Sequence, residues 1–122
     1  MDKESIIAQK SFVFATRIIK AVRFIKEQKR EYELANQLLR SGTSIGANVS
    51  EAKYGQSDKD FISKHKIALK EASETRYWLR LMEATDILSY ESTKSLITDI
   101  EEIIKILTSI INSMEKRQNK QS

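Results

Sequence analysis

The chain is 122 residues long, with no cysteine, no proline, three glycines and a formal net charge of +4. That length suits a single domain with a real core, and the composition excludes disulfides, thiolate metal sites and a cysteine nucleophile while favouring helices over sheets. The mild positive charge permits contact with nucleic acid or another acidic partner without requiring it.

The first helix is expected over about residues 4–29. Ile7, Phe14, Ile18, Ala21, Val22 and Ile25 form its core face. The opposite arc carries Lys10, Arg17, Lys20, Arg23 and Arg30; from Lys10 to Arg30 seven basic residues meet one acid, Glu27. Phe12 and Ile19 flank the core face on one side, Val13 and Phe24 on the other. So wide an apolar arc exceeds what a small monomeric bundle uses, and a subunit contact would use it.

A second helix follows over about residues 32–54 and runs straight through Arg40-Ser-Gly-Thr-Ser-Ile-Gly-Ala-Asn-Val-Ser-Glu51. Leu34, Leu38, Ile45, Val49 and Ala52 share its buried face, and Arg40, Ser44, Asn48 and Glu51 form a polar row beside it. Gly42 and Gly46 cost this helix about 1 kcal/mol each relative to alanine. Close approach by a neighbouring helix is the reason to carry them, so Gly46→Leu should overfill the contact. Gly55 is placed to take a left-handed cap position.

Ser57 is an N-cap for a third helix over about residues 58–88, with Asp58 and Asp60 suiting its dipole. Phe61, His65, Ala68, Leu69, Ala72 and Leu79 line its core face, while Tyr77, Trp78 and Leu81 lie off it. The Ser89-Tyr-Glu-Ser92 stretch reads as a turn. A fourth helix over about residues 92–114 has the clearest pattern, with Leu96, Ile100, Ile103, Leu107, Ile110 and Met114 alternating spacings of four and three. Ile97, Ile104 and Ile111 run beside that seam, and the polar tail 115–122 is expected to fray. Four helices with short connections make an all-α, antiparallel up-and-down four-helix bundle, and the excess apolar surface points to a homo-oligomer. Met1-Asp-Lys-Glu lacks a signal peptide's basic start and apolar run, and no apolar run approaches the roughly 18 residues of a membrane span, so a soluble, cytoplasmic protein is expected.

The stretch Gln37-Leu-Leu-Arg-Ser-Gly-Thr-Ser-Ile-Gly-Ala-Asn-Val-Ser-Glu-Ala52 resembles the signature of a bacterial four-helix-bundle family. That family is named for the protein encoded in intervening sequences of 23S ribosomal RNA genes. Ser57-Asp-Lys-Asp-Phe-Ile-Ser-Lys64 and Ile67-Ala-Leu-Lys-Glu-Ala-Ser-Glu-Thr-Arg-Tyr-Trp-Leu79 match it too, whereas the first and fourth helices match mainly in pattern. The resemblance implies the bundle fold, a bacterial cytoplasmic origin and a ring-like homo-oligomer, most often a pentamer. A similar protein of diversity-generating retroelements, the accessory variability determinant, forms a basic pentameric barrel that binds a reverse transcriptase and nucleic acid. For most of the family no biochemical activity is established. The family's recurrent positions fall on Arg40, Ser44, Asn48, Glu51 and Glu74, all matched here; His65 departs from the apolar residue that relatives often carry.

Those recurrent residues read as a structural polar network. Arg40 and Glu51 lie roughly 16 Å apart along one helix, so each needs a partner elsewhere, such as Glu71, Glu74 or Arg76 on the third helix. A di-iron bundle needs a Glu-x-x-His pair from each of two helices; the single histidine, His65, has Ile62 three residues before it. Ser44 and Ser50 lack a histidine partner nearby, and no nucleophile elbow, Walker loop or Rossmann glycine motif is present. No catalytic residue, metal or cofactor is expected, and Asn48-Val-Ser50 is a chance glycosylation triplet inside a helix. The basic arc Lys10, Arg17, Lys20, Arg23 and Arg30 is the feature that can carry function. Repeated in a five-membered ring, Arg17, Lys20, Arg23 and Arg30 would present about twenty positive charges to phosphates. Tyr32, Tyr54, Tyr77 and Trp78 read as packing or interface residues, so base-specific recognition is not expected. The first reading is therefore a non-enzymatic oligomeric scaffold that binds RNA, DNA or ribonucleoprotein without sequence preference. The second is a protein–protein module that binds a partner, such as a reverse transcriptase, through Phe12, Ile19 and Trp78.

Overall fold

A computed structural model describes residues 2–121. Four helices run in order: α1, Lys3–Phe24, extended by a π-helical turn Ile25–Lys29; α2, Tyr32–Ala52; α3, Asp58–Ala84; and α4, Tyr90–Gln121. No strand occurs among the described residues. Each helix packs on its sequence neighbours, and α1 closes the ring against α4, leaving α1 diagonal to α3 and α2 diagonal to α4. That arrangement, with connections of two to five residues, is the up-and-down four-helix bundle.

Helical periodicity selects the core. Phe14, Ile18 and Ile25 of α1, Leu38 and Ile45 of α2, Leu79 and Met82 of α3, and Ile100, Ile103 and Leu107 of α4 are almost wholly buried. All six seam residues of α4, from Leu96 to Met114, are buried, and so is Ile111 of the parallel row, while Ile97 and Ile104 pack partly against the core. Two buried hydroxyls join this apolar interior: Thr75 Oγ1 of α3 donates to Ser41 Oγ of α2 at 2.9 Å, which removes the cost of burying either one unpaired.

The helix ends have identifiable causes. The Asp2 carboxylate accepts from the Ser5 backbone N–H at 2.7 Å and caps α1. That bond, helped by the Ser5 side chain, holds the Asp2 carboxyl below its usual range. Its support of α1 is therefore present above the ordinary carboxylate pKa and fades as pH falls through the lowered value. Ser57 caps α3 by accepting from Asp60 N–H at 3.1 Å. Ser89 does the same for Ser92 N–H at 3.2 Å. The stretch read as a turn therefore holds the N-cap, and α4 begins at Tyr90, two residues earlier than expected.

The other boundaries turn on residues without glycine's freedom. Arg30 (φ 55°) and Asp86 (φ 60°) take left-handed conformations, whereas no glycine does. Asp86 ends α3 at Ala84, four residues before the expected limit: Ile87 N–H reaches back to the Met82 carbonyl at 2.9 Å and Asp86 N–H to that of Glu83 at 3.1 Å. This is a Schellman cap with aspartate at the glycine position and a buried Ile87–Met82 apolar pair beside it. Gly55, by contrast, is not left-handed, which corrects the expected cap; α2 ends at Ala52, and a Cβ on Gly55 would lie 3.3 Å from Asp60 Cβ at the start of α3. At the far end α4 continues to Gln121 rather than stopping at Met114; Ser122 lies outside the described residues.

Candidate nucleic-acid interface

Packing divides the basic arc of α1 into two groups. Lys10 pairs with Glu102 of α4 at 2.9 Å, and Arg17 pairs with Asp99 of α4 while donating to Ser95 Oγ at 2.9 Å. The N-terminal half of the arc is thus matched charge for charge by α4. Lys20, Arg23 and Arg30 are exposed and make no ion pair or side-chain hydrogen bond among the described residues, and the same holds of Lys26, which is partly buried, and of Lys29. The net field of α1 is therefore concentrated at its C-terminal end and in the π turn. Cations there also meet the negative end of the helix dipole, a local reason for their density.

The polar row of α2 likewise divides. Arg40 donates to Glu71 at 3.1 Å and to Glu74, and holds Gln37 of its own helix at 3.1–3.2 Å. Glu74 also accepts from the Trp78 indole N–H at 3.0 Å. This cluster ties α2 to α3 on a half-open surface, and Trp78 belongs to it rather than to a free apolar patch. Ser44 and Asn48 do not cross to another helix: Ser44 Oγ donates to the Arg40 carbonyl at 2.6 Å and Asn48 Nδ2 to that of Ser44 at 2.8 Å. Glu51 pairs at 2.6 Å with Lys64, not Arg76, and both side chains are exposed. The Lys10, Arg17 and Lys64 pairings are not legible in the sequence, because periodicity gives the face of each helix but not which acid of α2 or α4 lies opposite.

Gly42 and Gly46 both face α1. A Cβ on Gly42 would lie 2.8 Å from Ile18 Cγ2, and one on Gly46 would lie 3.4 Å from both the carbonyl oxygen and the Oγ of Ser11. His65 is buried, with Nδ1–H donating to the Phe61 carbonyl at 2.8 Å and its ring 4.2 Å from that of Phe61. No group of three or more His, Asp or Glu side chains is placed to hold a metal among the described residues.

Of the two roles expected for the aromatic residues, packing within the chain does not hold for Tyr32, Tyr54 and Tyr77, which are 56, 83 and 59% exposed; Phe24, on the flank of α1, is 46% exposed. Phe12, at 70%, lies by a groove of about 350 Å³ between α1 and α2, lined by Ala8, Ala15, Thr43, Gly46 and Ala47 among others. No described helix is long and apolar enough to cross a membrane.

The family model described as 23S rRNA-intervening sequence protein matches residues 3–109. Among solved structures, the chain is similar to a protein of unknown function from the S23 ribosomal protein family of Bacteroides thetaiotaomicron VPI-5482. The two are 46% identical and superpose with a TM-score of 0.90, over 91% of this chain and 99% of that one. No curated protein sequence matches. With that match spanning both signature blocks and the whole basic arc, the chain belongs to the 23S rRNA-intervening sequence protein family.

Proposed function

We propose that the protein is a non-enzymatic scaffold that binds nucleic acid without sequence preference through the C-terminal end of α1, its π turn and Arg30. One observation carries this reading: Lys20, Arg23, Lys26, Lys29 and Arg30 lie within eleven residues, with Glu27 the only acid among them and no ion pair to any of the five among the described residues. Such a ridge attracts phosphate by charge, and affinity grows with the number of contacts. Assembly into a homo-oligomeric ring, with the pentamer the form suggested by family resemblance, would repeat the ridge around one structure and multiply a modest affinity by avidity. The polar cluster at Arg40 supports a structural rather than a chemical role, since Arg40 and Trp78 both already bind Glu74.

Binding of a labelled mixed-sequence RNA, followed by anisotropy at about 50 and 200 mM salt, tests the proposal. Five phosphate contacts give a log–log slope of roughly −3.5 to −4.5, so affinity should fall roughly 100- to 500-fold across that range. Absence of binding at the lower salt sinks the reading.

A second reading, a module that binds a partner protein, is favoured by the exposure of Phe12 beside the α1–α2 groove. It expects one defined protein to co-purify in fixed ratio after nuclease treatment and to be lost in Phe12→Asp.

A further inference from the structure

The antiparallel register of α1 and α2 places two aromatic rings on either side of the cationic ridge. Ser11 lies opposite Gly46 and Ile18 opposite Gly42, so counting along the two helices brings Tyr32 level with the π turn, close to Lys26 and about one turn above Arg23. By helical spacing Tyr32 lies on the edge of α2 that carries Thr43, Gly46 and Ser50, the edge that borders α1. On the far side of the ridge, Phe24 stands one turn beyond Lys20 and two beyond Arg17, whose pairing with Asp99 marks the α4 side. The order around the surface is therefore Phe24, Lys20, Arg23, Tyr32, with both rings about half exposed. Arg30 caps this end in a left-handed conformation that glycine would adopt without strain. The opposing charges nearby are Glu27 on the ridge and Glu31 and Glu33 at the start of α2, where they meet the positive end of that helix's dipole.

Building on the proposed basic interface, we infer that its ligand is single-stranded nucleic acid, with phosphates held by Lys20, Arg23 and Arg30 and bases stacked on Phe24 and Tyr32. Cations flanked by exposed rings are the combination that single strands use, because every unpaired base offers a face to stack. A duplex conceals those faces and would meet only the charges. A ring stacks on any base, so the preference is for strandedness and not for sequence.

The test compares a labelled mixed-sequence RNA single strand of about 20 nucleotides with its own duplex, by anisotropy at about 50 mM salt. The single strand should bind at least about tenfold more tightly, and Phe24→Ala and Tyr32→Ala should each weaken it about fivefold or more while leaving duplex binding and the melting temperature unchanged. Tyr32→Phe, which keeps the ring, should retain wild-type affinity. Equal binding of duplex and single strand, or unchanged affinity in both alanine variants, overturns the inference while leaving the basic ridge as a phosphate site. Failure of the wild-type chain to bind either ligand removes the basic ridge and this inference together.

Discussion

Ile18 of α1 seats its two Cγ atoms against the backbone of α2 at Gly42, so closely that a Cβ there would lie 2.8 and 2.9 Å from them. The atoms are branched at Cβ and cannot swing aside as a flexible side-chain end would. Gly46, one turn on, has its nearest neighbours at 3.4 Å. The two glycines therefore behave differently. Gly42→Ala should destabilise the fold by roughly 1–2 kcal/mol, overpacking outweighing a gain of about 1 kcal/mol in helix propensity. Gly46→Ala should be neutral or stabilise by up to about 1 kcal/mol, whereas Gly46→Leu should cost about 1–3 kcal/mol. Urea denaturation of the three variants checks this; equal losses at Gly42→Ala and Gly46→Ala would contradict it.

The Arg40 cluster offers a graded series. Glu74→Ala removes the acceptor of both Arg40 and the Trp78 indole and should cost about 1 kcal/mol, since half-exposed pairs are individually weak. Glu74→Gln retains an acceptor for Trp78 and should lose about half as much. Glu51→Gln, at an exposed pair with Lys64, should change stability by less than about 0.5 kcal/mol. Thermal melts at low and high salt separate the ionic part, which alone is screened.

Asp86 occupies the left-handed residue of the α3 cap. Asp86→Gly should raise stability by about 0.5–1 kcal/mol, because glycine reaches that conformation without a Cβ clash. Asp86→Val, branched and unable to hydrogen-bond locally, should lower the melting temperature.

At Arg30 stability and binding are expected to move apart. Arg30→Gly relieves the left-handed backbone and should leave the melting temperature unchanged or higher, yet weaken RNA binding severalfold by removing one phosphate contact. Charge reversal of Lys20, Arg23 and Arg30 together should abolish binding and cost only about 1–2 kcal/mol of stability, through the dipole of α1, as none makes an ion pair among the described residues. Reversal of Arg17 alone is a poorer probe, since it also breaks the Asp99 pair to α4.

Much of the fold was legible from periodicity. The spacing of Leu96, Ile100, Ile103, Leu107, Ile110 and Met114 marks one stripe of a helix, and a stripe that apolar must be buried. The two glycines of α2 signalled close approach because nothing else repays their cost in a helix. The helix ends were harder to read where arginine and aspartate, not glycine, took the left-handed position, and where serine at 89 capped a helix that its own stretch disguised as a turn.

Composition and spacing by themselves determined that this chain forms amphipathic helices with a basic arc on the first, because both properties are local to a turn of backbone. Only tertiary structure decided which of those charges remain free. Lys10 and Glu102, or Arg17 and Asp99, are more than eighty residues apart and meet only when α1 closes against α4. The same packing left Phe24 and Tyr32 exposed, since a side chain's exposure depends on which helix edge a neighbour covers.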